Sequence, residues 1–473
     1  AADDAGIARE KLAANLDFLV VVKSVLDVLQ VEGLNIGIQN PPEALAHRLG
    51  NIKAKKYITA TGGNTPQSLV NRTAEMIAQG KVRFALLTGS EAIDTMMKAL
   101  KAGFNLNWSI PSSLEPEPLF PERDGTTEEE KSHGLFLPIN TYPLFENALR
   151  GHYNRTIDEH QKKLGQLFSR FTEVAAENPY AWFPVKRSPE EIASPSQTNR
   201  YIGFPYTKLM TAMINVNQSA ALIMTSVKTA RELGIDESRW VYLNGCADAT
   251  DHWYVTDRLN YFTSPAIATA ANRAMTMAEC IIDEIDFFDL YSCFPSAVQI
   301  TRDMLNINET DPRQLTVTGG LPYHGGPGNN YVMHAVAAMA EKLRNNPGKK
   351  GLVTANGWYI TKHAIGIYST EPNKTPWQRE DPVSYQKNID SQPHPESVQN
   401  PSGQGTIETY TVIYGREGEP VQGIIIGRIK DGKRFIANTP EDRTLIENLT
   451  SSDALGIGGS VRQEKGLNIF SPE

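Results

Sequence analysis

Thr59-Ala60-Thr61-Gly62-Gly63-Asn64-Thr65-Pro66-Gln67-Ser68-Leu69 reads as a strand that breaks at two glycines and turns directly into a helix. Thr65 has the character of an N-cap and Pro66 that of the first helical residue, where a missing N–H costs nothing. The helix is expected to run to the Gln79-Gly80 stop, with Leu69, Met76 and Ile77 at core spacing. Lys81 to Glu91 then reads as a buried strand ending in a glycine turn. In such a unit Thr65 stands on a helix N-terminus, where free N–H groups favour an anion or a developing negative charge. A nucleophile belongs there, and a hydroxyl occupies the position.

The same unit recurs. Thr316-Val317-Thr318-Gly319-Gly320 repeats the opening, Asn330 to Arg344 the helix, and Lys350 to Gly357 the final strand and glycine turn. Two copies about 257 residues apart predict a duplicated α/β core whose halves pack around one site.

Around these units the chain is ordinary in composition. Its 473 residues are 40% hydrophobic and 21% charged, enough for two or three domains of a soluble globular protein. A net charge of −8 without basic blocks argues against a nucleic-acid or anionic-membrane partner. Cys246, Cys280 and Cys293 lack CxxC spacing, and an odd count suits a reducing, cytoplasmic setting. No apolar run approaches the roughly 20 residues that span a bilayer, and no signal-peptide pattern opens the chain.

Residues 1–30 read as helix, from Ala1 to Gly6 and from Leu12 to Leu29, although Phe18 to Val22 could be a strand. The first strand that a doubly wound domain would place before such a helix is not seen, which raises the expectation that it is missing from the sequence. Pro41 to Gly50 is a short proline-started helix. From about 104 to 200, prolines, aromatics and mixed charges suggest an insertion over one face of the core, with two helices near 142–176, either roofing a site or serving as solvated decoration.

Residues 207–234 read as core helix through Ala220 to Met224, followed by a strand at Arg239 to Leu243 and an alanine-rich helix from Pro265 to Asp283. Ile285 to Pro295 is a strand that delivers polar residues at its carboxyl end, where ligands bind in open α/β sheets. Residues 371–404 read as a linker rich in Pro, Ser, Asn and Gln. Beyond it, Thr406 to Tyr414, Val421 to Lys430 and Lys433 to Ala437 alternate apolar and polar residues, with an Asp431-Gly432 hairpin signal. They predict a small separate β domain over 405–473.

Gly62 to Leu69, Asp289-Leu290-Tyr291-Ser292-Cys293-Phe294-Pro295 and Gly325-Gly326-Pro327-Gly328-Asn329-Asn330-Tyr331 together resemble the thiolase superfamily, and within it the thiolase-like proteins of type 1. The resemblance covers roughly residues 1–370. It implies an αβαβα five-layer core plus a C-terminal β-barrel resembling an oligonucleotide-binding fold. It also implies kinship with acetyl-CoA acetyltransferases of lipid metabolism.

Thiolases use a cysteine acyl acceptor, an Asn or His in the tetrad before Phe, a loop His and a late acid/base Cys, because a thiolate attacks and fixed donors hold the enolate. By the resemblance these positions fall on Thr65, Tyr291, Gly326 and Asn356 or its neighbour. None of the four types is retained, which argues against ordinary thiolysis or Claisen chemistry. Tyr291 is the remaining candidate acid or base, at the position where related retro-aldolases carry a tyrosine. The alternative for Tyr291 is a strand-end tyrosine bonded to a loop. His324, two residues before the loop-His position, and His363, which follows the last glycine turn, are the histidines that could have moved into the loop His's role, or else are structural. Cys293 shares Tyr291's face by alternation and reads as an inert thiol.

Gly63, Gly325, Gly326, Asn330 and Asn356 are the candidate substrate-binding residues. No metal cluster or dinucleotide fingerprint appears, so coenzyme A is expected only as part of an acyl-CoA substrate, with no separate cofactor. Three functions stay open: an acetyltransferase-related acyl-CoA binder without thiolysis, a retro-aldolase on a β-hydroxyacyl-CoA through Tyr291, and a non-catalytic scaffold. A monomer and a homodimer both suit the sequence.

Overall fold

The computed structural model describes residues 1–28, 38–50 and 53–473. A first sheet orders β2(Lys55–Ile58), β1(Phe18–Val21), β3(Phe84–Ala92) and β4(Asn217–Thr225). β1 lies parallel to both β2 and β3, and β4 runs antiparallel to β3. A second sheet orders β5(Tyr242–Thr250), β8(Lys362–Ser369), β7(Lys350–Gly357) and β6(Phe287–Asp289), with β6 and β7 parallel and β8 antiparallel to both neighbours. The triplets β1-β3-β4 and β6-β7-β8 therefore match in order and direction.

Each half carries one further edge strand, on opposite edges. Among the described residues the first sheet has no counterpart of β5, and the second none of β2. Where β2's counterpart would stand, Thr316 to Gly320 forms no ladder. Instead the buried Asp289 carboxylate accepts from Val317 N, Thr318 N and the Thr316 and Thr318 hydroxyls, claiming the N–H groups a strand would use.

Helices α1(Thr65–Ala78) and α5(Tyr331–Arg344) pack on each other and contact strands of both sheets. They form the central layer. Helix Pro41–Leu49 and the apolar Ile7, Leu12 and Leu16 cover the outer face of the first sheet, and α4(Pro265–Met277) covers β5 and β8. The arrangement is the expected five-layer αβαβα core.

Several local expectations are overturned. The helix read from Leu12 to Leu29 ends at Asn15, and Phe18–Val21 takes the strand alternative, as a central strand; Leu29 lies outside the described residues. Ala220 to Met224 belongs to β4, which pairs with β3 along its whole length; the helix that follows is only Val227–Glu232. Gly89 is inside β3, paired with Ala220, rather than in a turn.

The insertion contributes α2(Pro138–His152) and α3(Ile157–Glu177). Their Phe145, Leu149, Phe168 and Phe171 are buried in the main core, so the segment is structural rather than a solvated decoration. The 371–404 segment includes a helix, Pro382–Asp390, whose Tyr385 and Ile389 are buried against the core.

At the C-terminus, β9(Gly403–Tyr414), β10(Pro420–Ile429), β11(Arg434–Asn438), β12(Gly458–Glu464) and β13(Leu467–Pro472) close into a five-stranded barrel. The circuit runs β9-β10-β11-β13-β12-β9, with β11 and β13 parallel and α6(Arg443–Ser451) between β11 and β12. That is the connectivity of an oligonucleotide-binding fold. Gly432 makes the expected tight turn at φ 86°.

The barrel is not detached. Ile424, Ile426 and Ile436 join the main core, and the short strand Tyr201–Gly203 of the insertion pairs with β9. The fully buried Arg434 donates to Thr256 O at 2.9 Å, to Arg258 O and to Glu408. Among the described residues no helix is long and apolar enough to cross a membrane.

Candidate functional site

The elbow forms because Gly62, at φ 143°, takes a backbone conformation that side chains disfavour, letting the chain leave β2 and enter α1 in one turn. Thr65 is the first residue of α1, not its cap. Asn64 precedes it in a helical conformation, and Thr65 Oγ1 donates to Gly62 O at 2.8 Å. The hydroxyl proton is thus committed to a carbonyl, and Thr65 is buried. Among the described residues no histidine or cysteine shares a hydrogen bond with it.

Tyr291 follows β6, its N–H donating to Thr354 Oγ1 at 2.9 Å. Its phenol oxygen lies over Gly63, in the space a Cβ there would fill. Among the described residues this hydroxyl makes no hydrogen bond. Burial, and secondarily Cys293, pushes the phenol pKa well above 10, so at neutral pH it can give a proton but not take one. Burial likewise pushes the Cys293 thiol up to about 12, which keeps it a neutral thiol.

Asn356 closes the cluster. Its Nδ2 donates to Tyr142 Oη at 2.9 Å, while its buried Oδ1 has no partner. Tyr142, stacked on Phe294 at 4.5 Å and donating to Trp358 O at 2.7 Å, comes from α2. Sequence reading missed it; its only signal was a tyrosine inside the apolar run Tyr142-Pro143-Leu144-Phe145. The insertion therefore supplies a wall of the site.

The two histidines stand elsewhere. His324 Nδ1 is 3.3 Å from Asn178 Nδ2 and its Nε2 is unpartnered. Burial lowers its pKa to about 4. Tyr331 stands edge-on to both His324 and Tyr291, and the two have no direct bond or ring contact. His363 pairs with Asn356 in the β7–β8 ladder, but its Nε2 lies 3.2 Å from Asp251 Oδ2. That carboxylate also accepts from Ser264 Oγ and Ala266 N, so His363 helps anchor the start of α4.

Of the remaining candidates, Gly325 (φ 113°) is covered by the Gln218 side chain, and Gly326 N donates to Met213 O at 2.8 Å. Asn330 Nδ2 donates to Gly89 O at 2.7 Å, tying the loop to the first sheet. The structure thus gathers Gly63, Tyr291 and Asn356, beside the Thr65 turn, and leaves His324, His363, Gly325, Gly326 and Asn330 around them as supports. A second missed residue, Lys362, reaches the elbow from β8, its Nζ donating to Thr61 O at 2.5 Å. Two surface depressions, near Thr276–Glu279 and Asn306, include no residue of the elbow.

The elbow, with Tyr291, Asn356 and Tyr142 packed against it, stands in a chain that has solved likenesses. A crystal structure of a monomeric SCP2-thiolase-like protein type 1 from Mycobacterium smegmatis shares 35% identity, covering 100% of this chain and 92% of that one at a TM-score of 0.85. The chain belongs to the thiolase-like proteins of type 1. The family model of the thiolase-like protein type 1 additional C-terminal domain matches residues 384–466, which hold the barrel. Two more distant structures share the fold. The Ltp2-ChsH2(DUF35) aldolase is 17% identical over 78% of this chain and 90% of that one, at a TM-score of 0.55. The acetyl-CoA acetyltransferase of Syntrophomonas wolfei is 14% identical over 78% and 94%, at 0.53. No curated protein matches significantly.

Proposed function

We propose that this thiolase-like protein of type 1 binds an acyl-CoA ester at the elbow and does not carry out thiolysis or Claisen condensation. One observation carries the reading: Thr65, at what the resemblance makes the acyl-acceptor position, gives its proton to Gly62 O, and among the described residues no imidazole or thiol bonds to it. A neutral hydroxyl without a base is too weak a nucleophile for a thioester. Binding is supported by fold-level features, namely the helix N-terminus behind the glycine elbow and the orphan Asn356 Oδ1 beside Tyr291. Coenzyme A enters as part of the ligand, with no separate cofactor. The three free cysteines suit a reducing cytoplasm.

A second reading, retro-aldol cleavage of a β-hydroxyacyl-CoA, is favoured by the unpartnered Tyr291 phenol over Gly63. With its raised pKa that phenol serves as proton donor, and the base must be another group. If neither chemistry occurs, the protein is an acyl-CoA-binding scaffold. Turnover of a β-hydroxyacyl-CoA, lost in Tyr291→Phe, would establish the second reading; calorimetric binding of acetyl-CoA without thiolysis supports the first.

A further inference from the structure

We propose that the Lys362 amine is a carbonyl-capturing group of this site, forming an imine with the β-keto group of a β-ketoacyl thioester. The inference rests on the acyl-thioester reading of the elbow and names a substrate class for it.

The placement comes from two glycines. Lys362 Nζ lies 2.7 Å, and its Cε 3.0 Å, from the point where a Cβ on Gly62 would stand, so the amine rests on the turn that precedes the acyl-acceptor position. Cε also lies 2.9 Å from the corresponding point on Gly357, at the end of β7. The lysine therefore bridges the elbow of one half and the terminal strand of the other. A larger residue at either glycine would displace it.

Its polar environment suits a neutral amine. Among the described residues Lys362 makes no ion pair: the nearby Glu122 is committed to Lys23 at 2.7 Å and to Thr61 N and Oγ1 at 3.0 Å. Among the described residues the only hydrogen bond of Nζ goes to Thr61 O. The Trp358 ring centroid is 5.6 Å away. Burial lowers the ammonium pKa to about 8, against which Glu122 acts weakly. At pH 7.5 that leaves on the order of 100-fold more free amine than an ordinary lysine has.

A second observation points to a ligand. Asn64 is 8% exposed, and its Oδ1 is buried without a partner 2.6 Å from the same Gly62 point. An acceptor there can take the hydroxyl proton of a carbinolamine or the N–H of an iminium, so the orphan would be satisfied when the amine has reacted. Lys362 is itself part-exposed rather than sealed in the core.

The step balances. The Nζ lone pair attacks the β-carbonyl carbon, a proton moves from nitrogen to oxygen, and water leaves as the C=N bond forms. Borohydride then delivers a hydride to carbon and fixes a secondary amine.

The test treats the full chain with acetoacetyl-CoA and sodium borohydride, then maps mass gain by peptide. Pentane-2,4-dione, which forms an absorbing enaminone with a free amine, is the CoA-free arm. The expected result is borohydride-dependent label on the Lys362 peptide at least about ten-fold above any other lysine, with loss of label and enaminone in both Lys362→Arg and Lys362→Met. Equal labelling across surface lysines, persistence in a folded Lys362→Arg variant, or a gain without borohydride, which would be acylation, overturns the inference. Enaminone on Lys362 without calorimetric binding of any CoA ester removes the acyl-CoA reading but keeps the amine as a diketone site. Ester binding without label in either arm removes the amine and keeps the binding.

Discussion

The phenol oxygen of Tyr291 stands where a Cβ on Gly63 would have to go, and the Asn356 carbonyl oxygen lies 2.7 Å from the same point. Tyrosine and glycine are thus one packing unit, joining the polar strand end of the second half to the elbow of the first. Gly63→Ala should lose about 1–3 kcal/mol by overpacking. Tyr291→Ala alone should lose roughly 3–5 kcal/mol by truncation. The double variant should lose less than the sum, because the shorter side chain admits the methyl. Urea denaturation of the four proteins measures this, and strict additivity would show that the two residues do not compete for space.

Thr65→Cys should leave the protein without thiolysis of acetoacetyl-CoA. The new thiol would sit in the turn where Oγ1 now donates to Gly62 O, with His324 beyond Tyr331 and His363 bonded to Asp251. Such groups act as a unit, so one member alone recovers little. A thiolysis assay of the single variant decides it, and sustained turnover would mean a base lies closer than the hydrogen bonds indicate.

Stability should fall in mild acid through a buried histidine pair. His324 and His334 rings meet at 5.3 Å, each with an unpartnered Nε2, and burial lowers their pKa values to about 4 and about 3. Both folded values lie below the unfolded 6.5, so between pH 6.5 and 4 the unfolded chain binds more protons. The stability these neutral rings permit is present above 6.5 and is lost as pH falls, by about 3 kcal/mol for His324 at pH 4. Asp289, raised to about 6 by burial, acts in the opposite direction between pH 4 and 6. His334→Leu should flatten the acid limb of the urea midpoint. An unchanged limb would place the acid sensitivity elsewhere.

The barrel should prove integral. Arg434→Met removes the donor to Thr256 O and Arg258 O and half of Glu408's pairing, and should cost on the order of 3 kcal/mol. A chain ending near residue 400 would strip Ile424, Ile426 and Ile436 from the core and should not melt cooperatively. A cooperative melt of that truncated chain at unchanged temperature would make the barrel an appendage, as the alternating pattern of 405–473 suggested.

The fold was legible where turn chemistry and long periodicity coincide. The elbow at Gly62 to Leu69, the helix read over Asn330 to Arg344 and the Asp431-Gly432 hairpin all formed, with Thr65 and Tyr331 as the first helical residues one position from where they were read. Short apolar runs were less legible: Phe18–Val21, left open as helix or strand, and Ala220 to Met224, read as helix, have no period long enough to separate the two. In β4, antiparallel pairing with β3 overrides alanine's helix preference. The repeat at Thr316 was read as a strand because nothing local shows that Asp289, 27 residues earlier, takes its hydroxyl. In the candidate site, Tyr291 and Asn356 were singled out by the resemblance to thiolases and Gly63 by its place in the glycine elbow. Tyr142 and Lys362 were missed because their roles depend on tertiary approach, from the insertion and from the neighbouring strand.

The central claim, an elbow that holds an acyl-CoA ester but no longer cleaves it, is tested most directly by titrating acetyl-CoA and acetoacetyl-CoA into the protein calorimetrically, with thiolysis followed on the same sample. The account predicts saturable heat with at least one ester and no thiolysis above the uncatalysed rate. No heat with either ester, or steady thiolysis of acetoacetyl-CoA, would contradict it.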